Sequence, residues 1–576
     1  MITFPNQAAR HLEYPELTMY DMISRMAEAY PQEPAYEFYN RKTNYRTMLA
    51  GIDRAAQSFA AIGVRPGDPV TICLPNVPMT IDAFYALDKM GAVASMIHPL
   101  SAETEITYYL NYAKSSWIVT LDMFYEKVRT AADKADHPVM VIVARMQDAL
   151  PVHLRVLYTA KAGKNYLKYP PKTRQTGEPG NQDILWSDFL RLKYDGTVEK
   201  AEFERYRTSV ILYSGGTTGQ AKGICLTDLN FNALGLQAVD FIGETFCPGY
   251  TMLSCMPMFH GFGLGINIHT VLIHGACCIL LPTFTIDSYA KMLIKKKPNY
   301  IAGVPTIFDA LLNAKALDGL DMSFLRGMFC GGDTLHTELK RRVDAFLKEH
   351  KATIEIREGY GLTECVTASC LTPKDGYRPH SIGLPFADTV YDIVQPGTDE
   401  SLPPDTEGEI VLKGPTMMTG YLYNDEETAL ALRMRNDGDI WLYTGDLGHM
   451  DKDGYVYFSQ RMKRMIITNG YNVYPTRLEN AIDCCDIVDL SCVIGIQDQR
   501  RGQRVKAYVV LKDGVKESEE AKTTIMDHLS KLVAAYALPK EIEFRKELPK
   551  TLVGKVAYRV LEEEVRAQMA AEEKAV

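Results

Sequence analysis

Residues 213–223 form a loop whose chemical groups suit a polyphosphate, and they directly follow the β-rich run 209–212. The residues that could contact phosphate are Ser214, Gly215, Gly216, Thr217, Thr218, Gly219 and Lys222. Glycine lets consecutive backbone N–H groups point into one concavity, the hydroxyls add donors, and Lys222 supplies a mobile positive charge. The loop is not a Walker A motif, because that motif requires a glycine where Ala221 stands. Taken alone, the loop is explained equally well as a plain surface turn.

Five more segments with reactive side chains follow the loop in a fixed order. They are residues 257–261 (Pro-Met-Phe-His-Gly), 358–364 (Glu-Gly-Tyr-Gly-Leu-Thr-Glu), 443–446 (Tyr-Thr-Gly-Asp), 460–463 (Gln-Arg-Met-Lys) and 549–555 (Pro-Lys-Thr-Leu-Val-Gly-Lys). Their residues have ordinary structural alternatives: Tyr360 could be a core aromatic, Asp446 a turn residue, and Glu364 a charge at a helix N-terminus. Any one of these motifs could arise by chance, but six in this order could not.

The elements that must position these residues alternate between amphipathic helical patterns and short β-branched runs. That alternation predicts a parallel α/β architecture. The predicted helices are 17–30, with Thr18 as N-cap, and 79–90, and the predicted strands are 70–74, 278–281, 300–304 and 327–330. After about Ala387 the pattern changes to short strands with turn signals, which predicts a smaller β-rich subdomain.

A domain boundary is predicted at residues 460–464, where a dense basic cluster follows a strand. At 576 residues the chain is too long for a single core, and the part after the boundary is long enough to fold as a small α+β domain. We therefore predict an α/β protein with a large N-terminal domain of several subdomains over residues 1–462. A small C-terminal domain is predicted over residues 463–576.

Composition and charge exclude several classes of protein. The chain is 46% apolar and 23% charged, as ordinary soluble proteins are. Its net charge of −9 argues against nucleic acid as the main partner, because binding a phosphate backbone needs a basic surface. The 12 cysteines have no paired metal spacing and fit a reducing cytoplasm. We find no signal peptide, and no apolar run approaches the ~20 residues of a membrane span.

Residues 155–174 differ from the rest because they are basic and aromatic and contain no acidic residue. Four lysines at positions 161, 164, 168 and 172 alternate there with aliphatic and tyrosine side chains. Such a segment can rest on an anionic membrane surface, so peripheral contact with the inner membrane face is one interpretation. A solvated loop or helix face is the favoured alternative.

The glycine loop and the five later motifs together resemble the adenylate-forming superfamily of acyl-CoA synthetases, peptide-synthetase adenylation domains and luciferases. The resemblance covers nearly the whole chain, from about Leu17 to the C-terminus. It implies a two-step reaction in which a carboxylate attacks the α-phosphate of ATP and a thiol then displaces AMP from the acyl-adenylate. It also implies that the C-terminal domain is mobile and rotates between the two steps.

The resemblance assigns roles to single residues on the nucleotide side. The loop from Ser214 to Lys222 would hold the β- and γ-phosphates, and Thr363 would touch the α-phosphate. Glu364, with Thr218 from the loop, would contact a Mg²⁺ ion held largely through phosphate oxygens. Tyr360 would lie against the adenine. Its neighbours in this subsite would be Gly332, Asp333, Glu358, Gly359 and Gly361.

Further roles implied by the resemblance concern the ribose, the reacting carboxylate and the thiol. Asp446 would accept both ribose hydroxyls, and Arg461 would assist it. Lys555 would bridge the carboxylate and the α-phosphate as negative charge builds between them. The remaining assignments are Lys463 as the hinge of the C-terminal domain, Gly470 as the residue that leaves room for pantetheine, and His260 as a gate beside the acyl pocket. A structural histidine is the alternative for His260.

Several residues depart from the superfamily pattern. Gly215 stands where a second serine is common and Ala221 where proline is usual. Asp228 replaces a histidine after the loop, and the sequence assigns it no role. The departures around the hinge are Gln460 in place of glycine, Arg464 in place of aspartate, and Tyr558 in place of a basic residue after Lys555. No essential group is lost, but the hinge mechanics stay open.

The acid is defined less sharply than the reaction. The resemblance implies that its pocket is lined from residues 256–265, 303–308, 330–335 and 365–368, which are mostly apolar and include no aspartate clearly placed to grip an amino group. A medium- or long-chain fatty acid is expected first, and an aromatic or steroid-like acid second. The glycines at 261, 263 and 265 could open a long tunnel or permit tight helix packing.

The expected acceptor is free CoA, because no carrier-protein segment follows Lys555. Two alternatives stay open, namely transfer to an acyl carrier protein and a non-catalytic binding role. The predicted cofactors and substrates are thus ATP, Mg²⁺, CoA and a small carboxylic acid. The oligomeric state is not predicted.

Overall fold

Buried β-branched runs form the centre of the first sheet in the computed structural model, which describes residues 11–151, 153–156, 158, 183–215, 221–243, 246–468, 471–498, 502–550 and 556–575. The described strands of this sheet are, in spatial order, Gly420–Tyr421, Ala221–Leu226, Val210–Gly215, Val93–Met96, Pro69–Cys73, Trp117–Leu121, Met140–Ala144 and Ile184–Leu185. The strands from Val210–Gly215 to Ile184–Leu185 run parallel. Ala221–Leu226 turns back antiparallel to Val210–Gly215, so the glycine loop joins two neighbouring strands.

The second sheet is also parallel at its centre. Its described strands are, in spatial order, Leu384–Pro385, Cys370–Leu371, Ile356–Tyr360, Gly327–Cys330, Tyr300–Gly303, Thr251–Ser254, Cys277–Leu280, Pro34–Phe38 and Arg41–Asn44. The two short strands at one end and the last strand at the other are antiparallel to their neighbours. The carboxyl ends of the central strands meet along one edge, where ligands bind in open α/β sheets.

Two smaller sheets follow and are mostly antiparallel. The third contains Val390–Val394, Gly408–Lys413, Leu432–Met434, Ile440–Met450 and Val456–Arg461. The fourth contains Ile466–Thr468, Tyr471–Val473, Val488–Asp498, Gly502–Leu511 and Glu541–Phe544. The 3₁₀ turn Met462–Arg464 connects them. The fourth sheet has its own apolar core, which includes Ile466, Leu478 and Val505. The boundary at residues 462 and 463 stays a prediction.

The helices cover the sheets and connect their strands. The described α-helices are Met19–Ala29, Tyr45–Ala61, Pro78–Met90, Glu103–Ala113, Tyr125–Asp133, Met146–Ala149, Trp186–Phe189, Asp228–Ile242, Thr270–Leu272, Ile286–Lys296, Pro305–Leu312, Thr337–Glu349, Asp425–Ala431, Pro475–Asp483, Glu519–Ser530 and Tyr558–Ala575. Shorter turns are Asp122–Phe124, Lys315–Leu317 and Thr363–Cys365, and Phe262–His269 is π-helical. Among the described residues, no helix is long and apolar enough to span a bilayer.

The sequence-based expectations for these elements are confirmed within one or two residues. The hydroxyl of Thr18 accepts a hydrogen bond from the Asp21 amide at 3.1 Å and caps the first helix. The helix at 78–90 ends at Gly91, which has a φ of 74°. The α/β class and the β-rich part after Ala387 are likewise confirmed. Most of the basic segment 155–174 lies outside the described residues.

Asp228, to which the sequence assigned no role, has a buried carboxylate that connects separate elements. It is 0% exposed and accepts hydrogen bonds from Arg207 at 2.7 Å, from the Ser209 hydroxyl at 2.9 Å and from the Met19 amide at 3.1 Å. Its carboxylate thereby fastens the first helix to the strand that leads into the glycine loop.

Candidate active site

The edges of the sheets enclose a cavity of about 1120 Å³. It brings together residues that lie far apart in the chain. The predicted site residues that line it are Ser214, Lys222, His260, Gly332, Gly359, Gly361, Thr363, Glu364, Asp446 and Arg461. Asp333, Glu358 and Tyr360 are not among the residues that line it. Gly216, Thr217, Thr218, Gly219, Gly470 and Lys555 lie outside the described residues, and so does the side chain of Lys463.

Asp446 is held by the third sheet so that its carboxylate faces the cavity. It is 3% exposed and lies directly across from Arg461 on the neighbouring strand. The Tyr360 hydroxyl donates to Asp446 Oδ2 at 2.6 Å, and Arg461 Nε lies 3.4 Å from Asp446 Oδ1. Gly445, with a φ of 69°, precedes Asp446 at an irregularity in the pairing of the strand Ile440–Met450. Burial and the nearby carboxylate raise the pKa of Tyr360, so its hydroxyl stays a donor.

Glu364 lies in the 3₁₀ turn that follows the strand Ile356–Tyr360. The Tyr421 hydroxyl donates to Glu364 Oε1 at 2.8 Å, and burial raises the pKa of Tyr421. The Lys222 ammonium lies 4.9 Å from the centre of the Tyr421 ring and forms an ion pair with Glu427. Tyr421 thus connects the lysine of the glycine loop with the carboxylate predicted to meet Mg²⁺. Neither Tyr421 nor Glu427 belongs to one of the six motifs, so neither was predicted from the sequence.

Glu358 lies next to Gly359, which lines the cavity, and its own side chain binds a backbone amide. Its Oε1 accepts a hydrogen bond from the Leu335 amide at 2.8 Å, and burial raises the pKa of Glu358 to about 8. Backbones are packed closely around it: a Cβ on Gly361 would lie 1.7 Å from the carbonyl oxygen of Thr367, and Gly332 has a φ of 84°. Gly361 is thus needed for packing against the Thr367 backbone, and Gly332 has a conformation that favours glycine.

His260 sits where the second sheet meets the turn that carries Glu364. Its Nδ1 accepts from the Phe262 amide at 3.1 Å. A Cβ on the next residue, Gly261, would lie 1.7 Å from the carbonyl oxygen of Val366. Val366 has a φ of 63°, a strained conformation for a β-branched residue that brings this carbonyl against the His260 segment. The backbones of Gly261 and Val366 are therefore packed so closely that a side chain at position 261 would not fit.

His98 is a second histidine of the cavity wall, and the sequence analysis missed it. The strand Val93–Met96 ends just before it, and its ring centre lies 4.1 Å from that of Phe259. Burial, together with the charge of Lys127, lowers the pKa of His98 to about 4. The imidazole is therefore neutral at physiological pH.

One arm of the cavity is apolar and extends between the second sheet and the helix Asp228–Ile242. It is lined by Val239, Ile242, Phe246, Met252, Phe262, Ile266, Tyr300 and Phe329. The glycines of the neighbouring π-helix serve tight packing, because a Cβ on Gly263 would lie 2.0 Å from the Pro257 carbonyl oxygen and one on Gly265 2.7 Å from Leu234. Close packing of that helix presents Phe262 and Ile266 to the arm.

The C-terminal part closes the other end of the cavity. Lys550, Ala557 and Tyr558 line it, and they flank the undescribed segment 551–555. The Ala557 amide donates to the Pro549 carbonyl oxygen at 2.7 Å. The chain on both sides of Lys555 therefore reaches the cavity wall.

The sequence matches two family models, described as AMP-binding enzyme over residues 23–422 and AMP-binding enzyme C-terminal domain over residues 477–555. A long-chain-fatty-acid–CoA ligase from Bacillus subtilis (strain 168) is 33% identical over 569 residues, 97% of both chains. One from Escherichia coli O6:H1 is 29% identical over 562 residues, 96% of this chain and 95% of that protein.

Solved structures share the fold. The anthranilate CoA ligase AuaEII in complex with anthranoyl-AMP has a TM-score of 0.81 and 23% identity, with 97% of this chain and 99% of that chain covered. ATP-bound MatB from Rhodopseudomonas palustris has a TM-score of 0.78 and 24% identity, with 95% and 99% covered. At these identities the likeness concerns architecture.

Proposed function

Because the chain belongs to the AMP-binding enzyme family, in its acyl-CoA synthetase branch, we propose that it joins a medium- or long-chain fatty acid to CoA at the expense of ATP. The observation that carries this proposal is a single cavity with two unlike ends. Asp446, Glu364 and Lys222 line one end, and an apolar arm forms the other. An acid with a long hydrocarbon chain could put its carboxylate between them.

The nucleotide end has donors and acceptors that could bind the ribose and the adenine of ATP. We assign the ribose hydroxyls to Asp446, with Arg461 beside it, because this buried carboxylate is fixed by Tyr360 and faces the cavity. We assign the adenine to the side of the cavity that is lined by Gly332, Gly359 and Gly361. Glu358 and Asp333 stay predictions as direct contacts, and the bond from Leu335 favours a supporting role for Glu358.

The phosphates would lie between the glycine loop and the turn of Glu364. Among the described residues, no group of three or more His, Cys, Asp or Glu could hold a metal ion, so Mg²⁺ would depend on Glu364 and phosphate oxygens. A carboxylate with one oxygen already bonded to Tyr421 fits that use, because its other oxygen can face the ion. Bound Mg²⁺ would neutralise charge on the phosphates. Thr363, Thr218 and the rest of the loop would orient them.

The reaction would proceed in two steps. The acid carboxylate attacks the α-phosphorus, the bond to the bridging oxygen breaks, and pyrophosphate leaves. Lys555 would stabilise the charge that accumulates between the carboxylate and the α-phosphate. The thiolate of CoA then attacks the acyl carbon and AMP leaves. For this second step we propose rotation about Lys463, which would bring Gly470 to the thiol path beside His260.

Two observations favour a fatty acid over a smaller acid. The apolar arm is lined by aliphatic and aromatic side chains and by Met252. Relatives that match nearly the full length are long-chain-fatty-acid–CoA ligases. An aromatic acid is the second candidate, because a structural neighbour is an anthranilate CoA ligase.

The test is pyrophosphate release with ATP and Mg²⁺ across fatty acids of increasing length, benzoates, bile acids and amino acids, each with and without CoA. We expect turnover that rises with chain length and depends on CoA. Turnover confined to aromatic acids would replace the substrate class. Release that CoA does not accelerate would point to a carrier protein, and no release with any acid would refute the proposal.

A further inference from the structure

Two departures from the superfamily pattern, Arg464 and Tyr558, meet in the structure. They lie 94 positions apart in the printed sequence. The Arg464 guanidinium lies over the ring of Tyr558, 4.5 Å from its centre. This is a cation–π contact, which is strongest where water is excluded.

Arg464 is fixed before it meets the ring. Its Nη2 donates to Glu479 Oε1 at 2.6 Å and to the Val493 carbonyl oxygen at 3.2 Å. The same Glu479 oxygen accepts from the Val493 amide at 2.8 Å. The Arg464 side chain is 16% exposed. The guanidinium is thus a rigid plate on which an aromatic ring can rest.

The contact lies where the C-terminal part meets the cavity. Arg464 ends the turn Met462–Arg464, which follows directly after Arg461, the partner of Asp446. Tyr558 begins the helix Tyr558–Ala575 and lines the cavity together with Arg461. The contact between Arg464 and the Tyr558 ring therefore connects the first residues of the C-terminal part with the start of its last helix.

We propose that Tyr558 is a positioning residue for adenylate formation, acting through its ring on Arg464. The contact fixes the first turn of the last helix relative to the turn Met462–Arg464, and this first helical turn lines the cavity. This inference rests on the proposed function, since it assumes that an acyl-adenylate forms here. In the rotation proposed above, transfer to CoA would use another face of the C-terminal part, so it should depend less on the contact.

The experiment measures the two half-reactions separately in the full-length protein. Adenylate formation is followed by pyrophosphate release without CoA, and transfer is followed by adding CoA to preformed acyl-adenylate. Tyr558→Leu is expected to slow adenylate formation about ten-fold and to leave transfer within about two-fold. Tyr558→Phe keeps the ring and should restore the wild-type rate.

Arg464→Lys is the second variant, because lysine keeps the charge beside Glu479 but not the planar cation. It should reproduce the split between half-reactions, and Tyr558→Leu should add nothing further to it. The matched control is Arg545→Met. Arg545 lies 5.2 Å from the centre of the Tyr508 ring and pairs with Glu543 and with Glu564 of the last helix, but it does not line the cavity. Both rates should be unchanged in that control.

Three outcomes would overturn the inference: wild-type adenylation by Tyr558→Leu and Arg464→Lys, an equal loss in both half-reactions, or a loss in Tyr558→Phe as large as in Tyr558→Leu. Thermal unfolding of each variant identifies a misfolded protein, and Arg464→Lys then decides alone. If the wild-type protein forms no adenylate with any acid, the proposed function fails. An active wild type with insensitive variants refutes only this inference.

Discussion

The nucleotide end and the acyl end of the cavity are held by different kinds of contact. At the nucleotide end, charged and hydroxyl groups fix each other, as Tyr360 and Arg461 fix Asp446. At the acyl end, side chains such as Phe262 and Tyr300 are fixed by packing, and glycines allow the backbones to approach. Directional bonds define points in space, whereas packing defines a volume.

This difference has consequences for specificity. A polar site that holds fixed donors rejects a ligand that lacks the matching group, because buried polar atoms would be left without partners. An apolar arm discriminates among acids only by size, and weakly for each methylene. We therefore expect one nucleotide and a range of acids.

Lys555→Ala is expected to have the largest effect on the chemistry of the nucleotide end. We expect adenylate formation to fall on the order of 10²-fold or more, because charge builds in the transition state where the ammonium would lie. Calorimetric affinity for ATP should change little. The exposed Lys546→Ala serves as the control in the same part of the chain. A wild-type rate in Lys555→Ala would show that the assigned role is wrong.

Ile266→Trp is expected to impair binding at the acyl end and to leave the nucleotide end unchanged. The larger side chain should shorten the arm and lower kcat/KM for long-chain acids by about 10- to 100-fold relative to short ones, with KM for ATP unchanged. The control is Ile294→Trp on a helix that does not line the cavity. An equal loss for short and long acids would contradict the assignment of the arm.

Glu358→Gln would test whether the buried carboxyl beside the nucleotide end makes the stability of the protein depend on pH. Since burial raises the pKa of Glu358 from 4.5 to about 8, the folded state holds this proton more tightly than the unfolded state does. Wild-type unfolding free energy should therefore fall as pH rises between these two values, by at most about 1.4 kcal/mol per pH unit.

In Glu358→Gln this fall in unfolding free energy should be absent. The variant should therefore become more stable relative to the wild type as the pH approaches 8. Chemical denaturation across this pH range measures it, with the exposed Glu349→Gln as control. Parallel profiles for wild type and variant would refute a buried, protonated carboxyl. An unchanged affinity for ATP would support the supporting role of Glu358.

Glu427→Gln should have the smallest effect. It removes the ion pair between Lys222 and Glu427, with which a phosphate would compete for the lysine, so KM for ATP should fall about two- to five-fold, as expected for a partly exposed pair. The neighbouring exposed Glu426→Gln is the matched control. A rise in KM would mean that Glu427 assists phosphate binding.

Prediction from sequence reached the fold class, the strands and the motif residues that line the cavity, because hydrophobic period and local turn chemistry are encoded nearby in the chain. It missed Tyr421, Glu427 and His98. Nothing in their own segments marks them, and each acts only because a strand or helix end brings it to a distant residue. Asp228 and the Arg464–Tyr558 contact were visible only as unexplained departures.

The sequence by itself determined the reactive groups of this protein, their order along the chain and the alternation of helices and strands that carries them. The tertiary structure decided which of these groups share a cavity, which ones face it directly, and that an apolar arm opens beside them. The physical reason is that motifs are local in the chain, whereas the arm is assembled by packing of elements hundreds of residues apart. Whether a glycine opens a tunnel or tightens a helix depends on the atom that its missing side chain would meet.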